Sequence, residues 1–383
     1  MESNVSNPVN TPDPGRESTK NFTSEHNTSL PDNSSAKHWN IDIDSFQDYW
    51  SQKIRIFSSN LDQKLFTYYD EEENVSTFDT NVTKQCIVDS KAPNIPLCYL
   101  TKIKKEEDKE TYQTSIWLDE FFKDETYLDA TNKSYVRVRG GYEYNKRGDP
   151  DLFYNITARI KLPKTQGKLQ LYIGDDTKEH ANLSNAQNGT TDKGVGLKYV
   201  APSFFERFNT SASVGVSGIG NPYAKARIEY PLFLGSWLLK PAQYCKLSRK
   251  NEFEEWTDLS FDRKLADNEM IRFLLQRSTH STEPGMSYLS QLSYMNTLKD
   301  EIGFNHYIGI SGRTQDLIGS VYNSGTTPQE GVYEYSIGTI WRQKLFRNYL
   351  FYQMQPIVSF HEQYDYKPNY IFRVSLDFYF GNN

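Results

Sequence analysis

From about residue 133 to its end, the chain alternates apolar and polar residues with period two, the pattern of strands with one apolar face. "SYVRVRGGYEY" sets Val136, Val138, Gly140 and Tyr142 against Arg137, Arg139, Gly141 and Glu143. "FYNITARIKL" opposes Tyr154, Ile156, Ala158 and Ile160 to Asn155, Thr157, Arg159 and Lys161, and "YAKARIEY" opposes Ala224, Ala226 and Ile228 to Lys225, Arg227 and Glu229. The last strand carries Phe372, Val374, Leu376, Phe378 and Phe380 on one face and Arg373, Ser375, Asp377 and Tyr379 on the other. Weaker alternation recurs between these segments, bounded by Gly, Pro, Asn and Asp clusters, with no helical period in between. The count comes to about 12 strands, within a range of 10 to 14, over residues 133–383.

The N-terminal third reads differently. Residues 1–40 are Asn-, Ser-, Thr- and Pro-rich with almost nothing apolar, too little to offset ordering entropy, and are expected to form a disordered leader. Within an N-terminal region spanning 41–132, residues 44–66 place Phe46, Trp50, Ile54, Phe57, Leu61 and Leu65 at three- and four-residue spacings, one face of an amphipathic helix. That face needs a partner. "TSIWLDEFF" at 114–122 predicts a second helix, behind the charged stretch "KIKKEEDKE".

Composition narrows the function. Lys and Arg number 43 against 49 Asp and Glu, so nucleic acid has no electrostatic support as a partner. Aromatic residues reach 14%, a surplus that suits half-buried sheets and membrane interfaces. No apolar run attains the roughly 18 residues of a transmembrane helix. The opening "MESNVSNPVN" reads as no secretory signal, so export would imply that such a segment had been removed. Cys86 and Cys98 could close a small disulfide loop in an oxidising compartment or stay free thiols, and Cys245 has no evident partner.

Long strands, apolar faces ending in aromatics, and charges repeated on the opposite faces together favour a closed antiparallel transmembrane β-barrel over a soluble sandwich. On this reading Phe372, Val374, Leu376, Phe378 and Phe380 face lipid, while Arg137, Arg139, Glu143, Arg159, Lys161, Lys225, Arg227, Glu229, Arg373 and Asp377 line a lumen. The closing strand resembles the C-terminal signature of bacterial outer-membrane barrels, although Gly381, Asn382 and Asn383 extend past Phe380. "YPLFLGSW", "WTDLSFDRKLADNEMIRF" and "WRQKLFRNYLFYQMQPIVSF" are also similar to a set of poorly characterised outer-membrane proteins over about residues 134–380. That resemblance implies fold and location, the bacterial outer membrane, and carries no assigned chemistry.

Catalytic and metal-binding motifs are not found. "GVSGIG" only resembles a nucleophile elbow, Ser278 and His280 lie two apart, and His306 and Ser311 fall on opposite faces of a strand. No cofactor, metal site or enzymatic activity is read. The function expected is a pore with a charged lumen, or alternatively a membrane anchor whose helix at 44–66 docks a periplasmic protein.

Overall fold

A computed structural model of the chain describes residues 43–67, 106–122 and 134–381, except 163–164, 166–167, 175–193, 202–207, 219, 250–251, 283, 299–300 and 316–329. The expected leader and the Cys86–Cys98 pair lie outside the described residues. Among the described residues two helices come first, α1 (Ile43–Thr67) and α2 (Glu106–Phe122). The strands are β1 (Tyr135–Asn145), β2 (Asp151–Lys161), β3 (Leu169–Gly174), β4 (Gly194–Ala201), β5 (Asn209–Ser217), β6 (Asn221–Glu229) and β7 (Leu232–Leu234). They continue with β8 (Trp237–Ser248), β9 (Glu252–Ala266), β10 (Glu269–His280), β11 (Ser287–Leu298), β12 (Ile302–Arg313), β13 (Gly331–Lys344), β14 (Leu350–His361) and β15 (Pro368–Gly381).

Each strand pairs antiparallel with its sequence neighbour, except that β6 pairs with β8 and the three-residue β7 pairs only with β8. β1 and β15 then join in the register Tyr135↔Gly381 to Asn145↔Ile371. The sheet is thus an antiparallel barrel of fourteen strands closed on itself, plus one short extra strand, where the sequence predicted about twelve. Fourteen is the upper end of the expected range of 10 to 14, and the faintest strands are β3 through β5. They are only six to nine residues long, and Gly- and Ser-rich segments such as "NTSASVGVS" blur the alternation, yet each is paired along both edges.

Pro356 sits inside β14, where its ring removes one ladder donor. The ladder between β13 and β14 runs from Glu334↔His361 to Gly338↔Ile357, skips two rows, and resumes at Trp341↔Met354 in the same register. A missing N–H donor therefore opens the ladder locally without shifting it.

α2 identifies the interior. Its Ser115 and Asp119 bond to Asp262 on β9 and Arg272 on β10, and Lys240 on β8 donates to Ser115. Its Leu118, Phe121 and Phe122 share an apolar cluster with Met270, Met295, Tyr307 and Ile340, of β10 through β13, and Phe121 meets Phe351 of β14 edge-on. One helix reaches seven consecutive strands of a ring only from within it. The close fit shows at Gly303 of β12, where a Cβ would clash with the edge of the Phe121 ring and lie 2.9 Å from Phe122.

α1 lies elsewhere. Asp44 pairs with Arg347 in the β13–β14 turn at 2.6 Å, Ser51 Oγ accepts from the Gly381 N–H at 2.9 Å, and Ser58 Oγ donates to the Lys161 carbonyl at 2.9 Å. These anchors sit at the ends of strands that follow one another around the ring, so α1 runs along the rim. The sequence led us to expect the apolar face of this helix to be the packed one. The structure instead buries a polar stripe, Gln47, Ser51, Ser58 and Asp62, and leaves Phe46, Trp50 and Phe57 about half exposed. The reason is local: strand ends present unpaired backbone N–H and C=O groups, which hydroxyls satisfy and phenyl rings cannot.

Candidate functional site

Alternation sorts the charged residues onto the buried face of the barrel, the face that α2 touches. Arg137, Arg139, Arg159, Lys225, Glu229, Arg373 and Asp377 are buried, while Glu143, Lys161 and Arg227 are half-buried. The opposite face is exposed and apolar. Leu152 and Tyr154 are 79% and 74% exposed, and Phe372 and Leu376 are also open, with Val374 and Phe378 half-buried. Phe380 departs from its face-mates at 9% exposure, because Phe46 of α1 packs edge-on against it with ring centroids 6.0 Å apart.

Three groupings of buried charge result. In the first, Asp377 of β15 takes a bidentate hydrogen-bond pair from Arg139 of β1, at 2.5 and 2.8 Å, and a third bond from Arg342 of β13 at 2.6 Å. Arg342 is fully buried and also donates to Gln353 and to the Tyr379 hydroxyl. Further along, Arg373 donates to Glu143 at 2.6 Å. Planar guanidinium forks hold carboxylates in fixed orientation, so this wall is rigid.

The second grouping binds α2 to the wall. Arg272 donates to both oxygens of Asp119 and both of Asp262, at 2.7 to 3.1 Å, and Lys240 stands 2.7 Å from Asp262 and 3.6 Å from Asp119. Two cations and two carboxylates balance, as buried charge requires. Below them Glu110 pairs with Lys264 in a more open position.

The third lies on β6, β8 and β9, away from α2. Lys225 sits 5.2 Å over the Tyr244 ring and 5.1 Å over Trp256, whose rings stack at 4.9 Å. Arg227 joins Glu229 and the Tyr244 hydroxyl, and Lys246 reaches Glu254 at 3.3 Å. Trp256 is therefore a packing residue of the inner face. Cation-π contacts of this kind hold a charge where water is scarce.

The sequence placed Arg139, Glu143, Arg373 and Asp377 on the charged face, and the β1–β15 ladder sets Arg139 opposite Asp377 and Glu143 opposite Arg373. Sequence reasoning missed Asp119, Lys240, Asp262, Arg272 and Arg342. The signal was present in the alternation: Arg272 stands on the face of Met270, and Arg342 on that of Ile340. Only the three-dimensional ring shows that they converge. Ser278 and His280 do share a face, yet Ser278 Oγ has no hydrogen-bond partner and His280 Nδ1 lies 3.9 Å from Glu254, so no activated nucleophile is assembled there. Among the described residues no group of His, Cys, Asp and Glu is arranged to hold a metal ion. Cys245 is free and half-buried.

No family model and no curated protein matches the chain, so the family resemblance seen in the sequence finds no support there. Solved structures do match in outline. The KdgM porin in complex with disordered oligogalacturonate aligns over 63% of this chain and 98% of its own, at 8% identity and a TM-score of 0.31. The outer membrane channel DcaP of Acinetobacter baumannii aligns over 65% of this chain and 96% of its own, at 8% identity and a TM-score of 0.40. Outer-membrane expressed OmpT of Vibrio cholerae aligns over 65% of this chain and 98% of its own, at 9% identity and a TM-score of 0.36. Likeness this distant leaves the chemistry of those proteins with them.

Proposed function

We propose that the chain is a bacterial outer-membrane channel whose charged inner face lines an aqueous passage narrowed by α2. One observation carries the reading: on a ring with no free edge, charges turn inward and large apolar side chains stay uncovered outside, as at Leu152, Tyr154, Ile308, Ile337 and Leu376. Water inside and hydrocarbon outside is the pair of solvents that this sorting fits. Barrels of about 8 strands are filled by side chains and those of 16 to 18 leave a channel, so fourteen strands leave room beside one helix.

In this reading α2 occupies the side of β8 through β14, and the passage follows the opposite side, narrowed where Arg159, Lys198, Lys225 and Lys246 crowd the wall to near-complete burial and outnumber the nearby Glu229 and Glu254. Planar-bilayer recording of the full chain tests the proposal. Stepwise conductance is expected from the wild type, with larger steps when Arg272→Ala loosens α2. Silence from both proteins would overturn the channel in favour of a membrane anchor.

A further inference from the structure

We infer that α1 is an in-plane membrane helix, laying its aromatic stripe into the lipid surface at the barrel rim; the inference rests on the outer-membrane reading above. The helix runs along the rim rather than along the strands. Asp44, Ser51 and Ser58 are fixed at the β13–β14 turn, the end of β15 and the end of β2 in turn. At 1.5 Å per residue its 25 residues reach about 37 Å, long enough to follow the rim past several strands.

Its faces are divided in three. The polar stripe at 47, 51, 58 and 62 is buried against the strand ends. About a quarter-turn away lie Phe46, Trp50, Ile54, Phe57 and Leu61, and the remaining arc carries Asp48, Gln52, Arg55, Asn60 and Gln63 together with the exposed Tyr49 and Ile56. A helix anchored by its polar side to protein, with a separate apolar stripe and a separate charged arc, suits a boundary between hydrocarbon and water.

The direction of the stripe names its occupant. Phe46 packs edge-on against Phe380, and Phe380 belongs to the outer face of β15 with Phe372 and Leu376. The exposed rings of α1 thus continue the apolar surface of the barrel, so one medium covers both. Lys53 lies 5.3 Å over the Tyr49 ring beside the stripe, and Lys64 stands in the last turn on the same flank. Long cationic chains there can reach phosphate groups while their stems stay among the rings. A docked periplasmic protein would need no such continuity with the β15 surface.

The full chain in vesicles of phosphatidylethanolamine and phosphatidylglycerol provides the test. The Trp50 signal is taken as the difference between wild type and Trp50→Phe, with lipids brominated either near the glycerol or near the chain ends. Shallow bromines should remove about half of the Trp50 emission, as expected for a helix about 5–10 Å into the boundary, and acrylamide should quench it little. Phe57→Trp in the Trp50→Phe protein gives a second reporter on the same stripe. Heat-dependent gel mobility of the same vesicles scores barrel insertion separately. An inserted barrel whose two reporters ignore both lipids and yield to acrylamide overturns this inference alone. Reporters shielded only after a periplasmic extract is added overturn it in favour of a protein partner, and a barrel that never inserts sinks the membrane reading with it.

Discussion

α1 and α2 are both mixed-composition helices that precede the barrel, and the barrel treats them in opposite ways. α2 is enclosed on nearly every side, with apolar residues on β10 through β14 and a neutral four-charge cluster on β8 through β10. α1 shows the barrel only a stripe of small polar groups and leaves its rings outside. The difference teaches that amphipathic spacing fixes which residues share a face, while the surroundings decide which face is covered. Inside, a helix must satisfy both rings and charges; at a rim, it first satisfies open backbone.

The comparison can be broken most severely at Arg272. Arg272→Ala leaves Asp119 and Asp262 facing each other with Lys240 alone between them, and is expected to cost about 3–5 kcal/mol of denaturant stability in detergent. An unchanged midpoint would mean that α2 is not held by this cluster. Gly303→Val attacks the same packing without touching charge, by forcing the Phe121 and Phe122 rings away from β12, at about 1–3 kcal/mol. Proteolysis should then cut within α2 and spare α1.

On the other helix the effects shrink. Ser51→Ala removes the acceptor for the Gly381 N–H and is expected to cost about 0.5–1.5 kcal/mol, read as faster hydrogen exchange at that amide. The smallest effect is a pH effect. The Arg347 guanidinium, helped by the Tyr349 hydroxyl, holds the Asp44 carboxyl below its ordinary value of 3.8. Asp44 is therefore charged in the folded state at lower pH than in the unfolded state. Its contribution is present above the ordinary carboxylate value and is lost as pH falls through the depressed one. Exchange at the first turn of α1 should accelerate only below about pH 4, and Asp44→Asn should show no such step.

Much of the barrel could be read from the chain because a closed sheet with one buried, charged face and one exposed, apolar face writes the two into alternate residues. β1, β2, β6 and β15 declare themselves by placing Arg, Lys or Asp between Val, Ile and Phe. β3 through β5 were harder, since small residues fit either face and carry little transfer energy. The charge cluster around Arg272 was illegible for a different reason. Its members lie on three strands and a helix more than a hundred residues apart, and no local pattern encodes which strands a buried helix will meet. The buried stripe of α1 was invisible because hydroxyls and amides read as solvent-facing until an open strand end is supplied.

The seam between β1 and β15 has a consequence for how the molecule comes into being. It joins Tyr135 to Gly381 and ten further rows, so the first strand of the ring waits for the last to be synthesised. Until then both hold out bare hydrogen-bonding rims, which would recruit strands of other chains. The chain therefore leaves synthesis as a curtain rather than a cylinder, its two hems bare until they are sewn to each other.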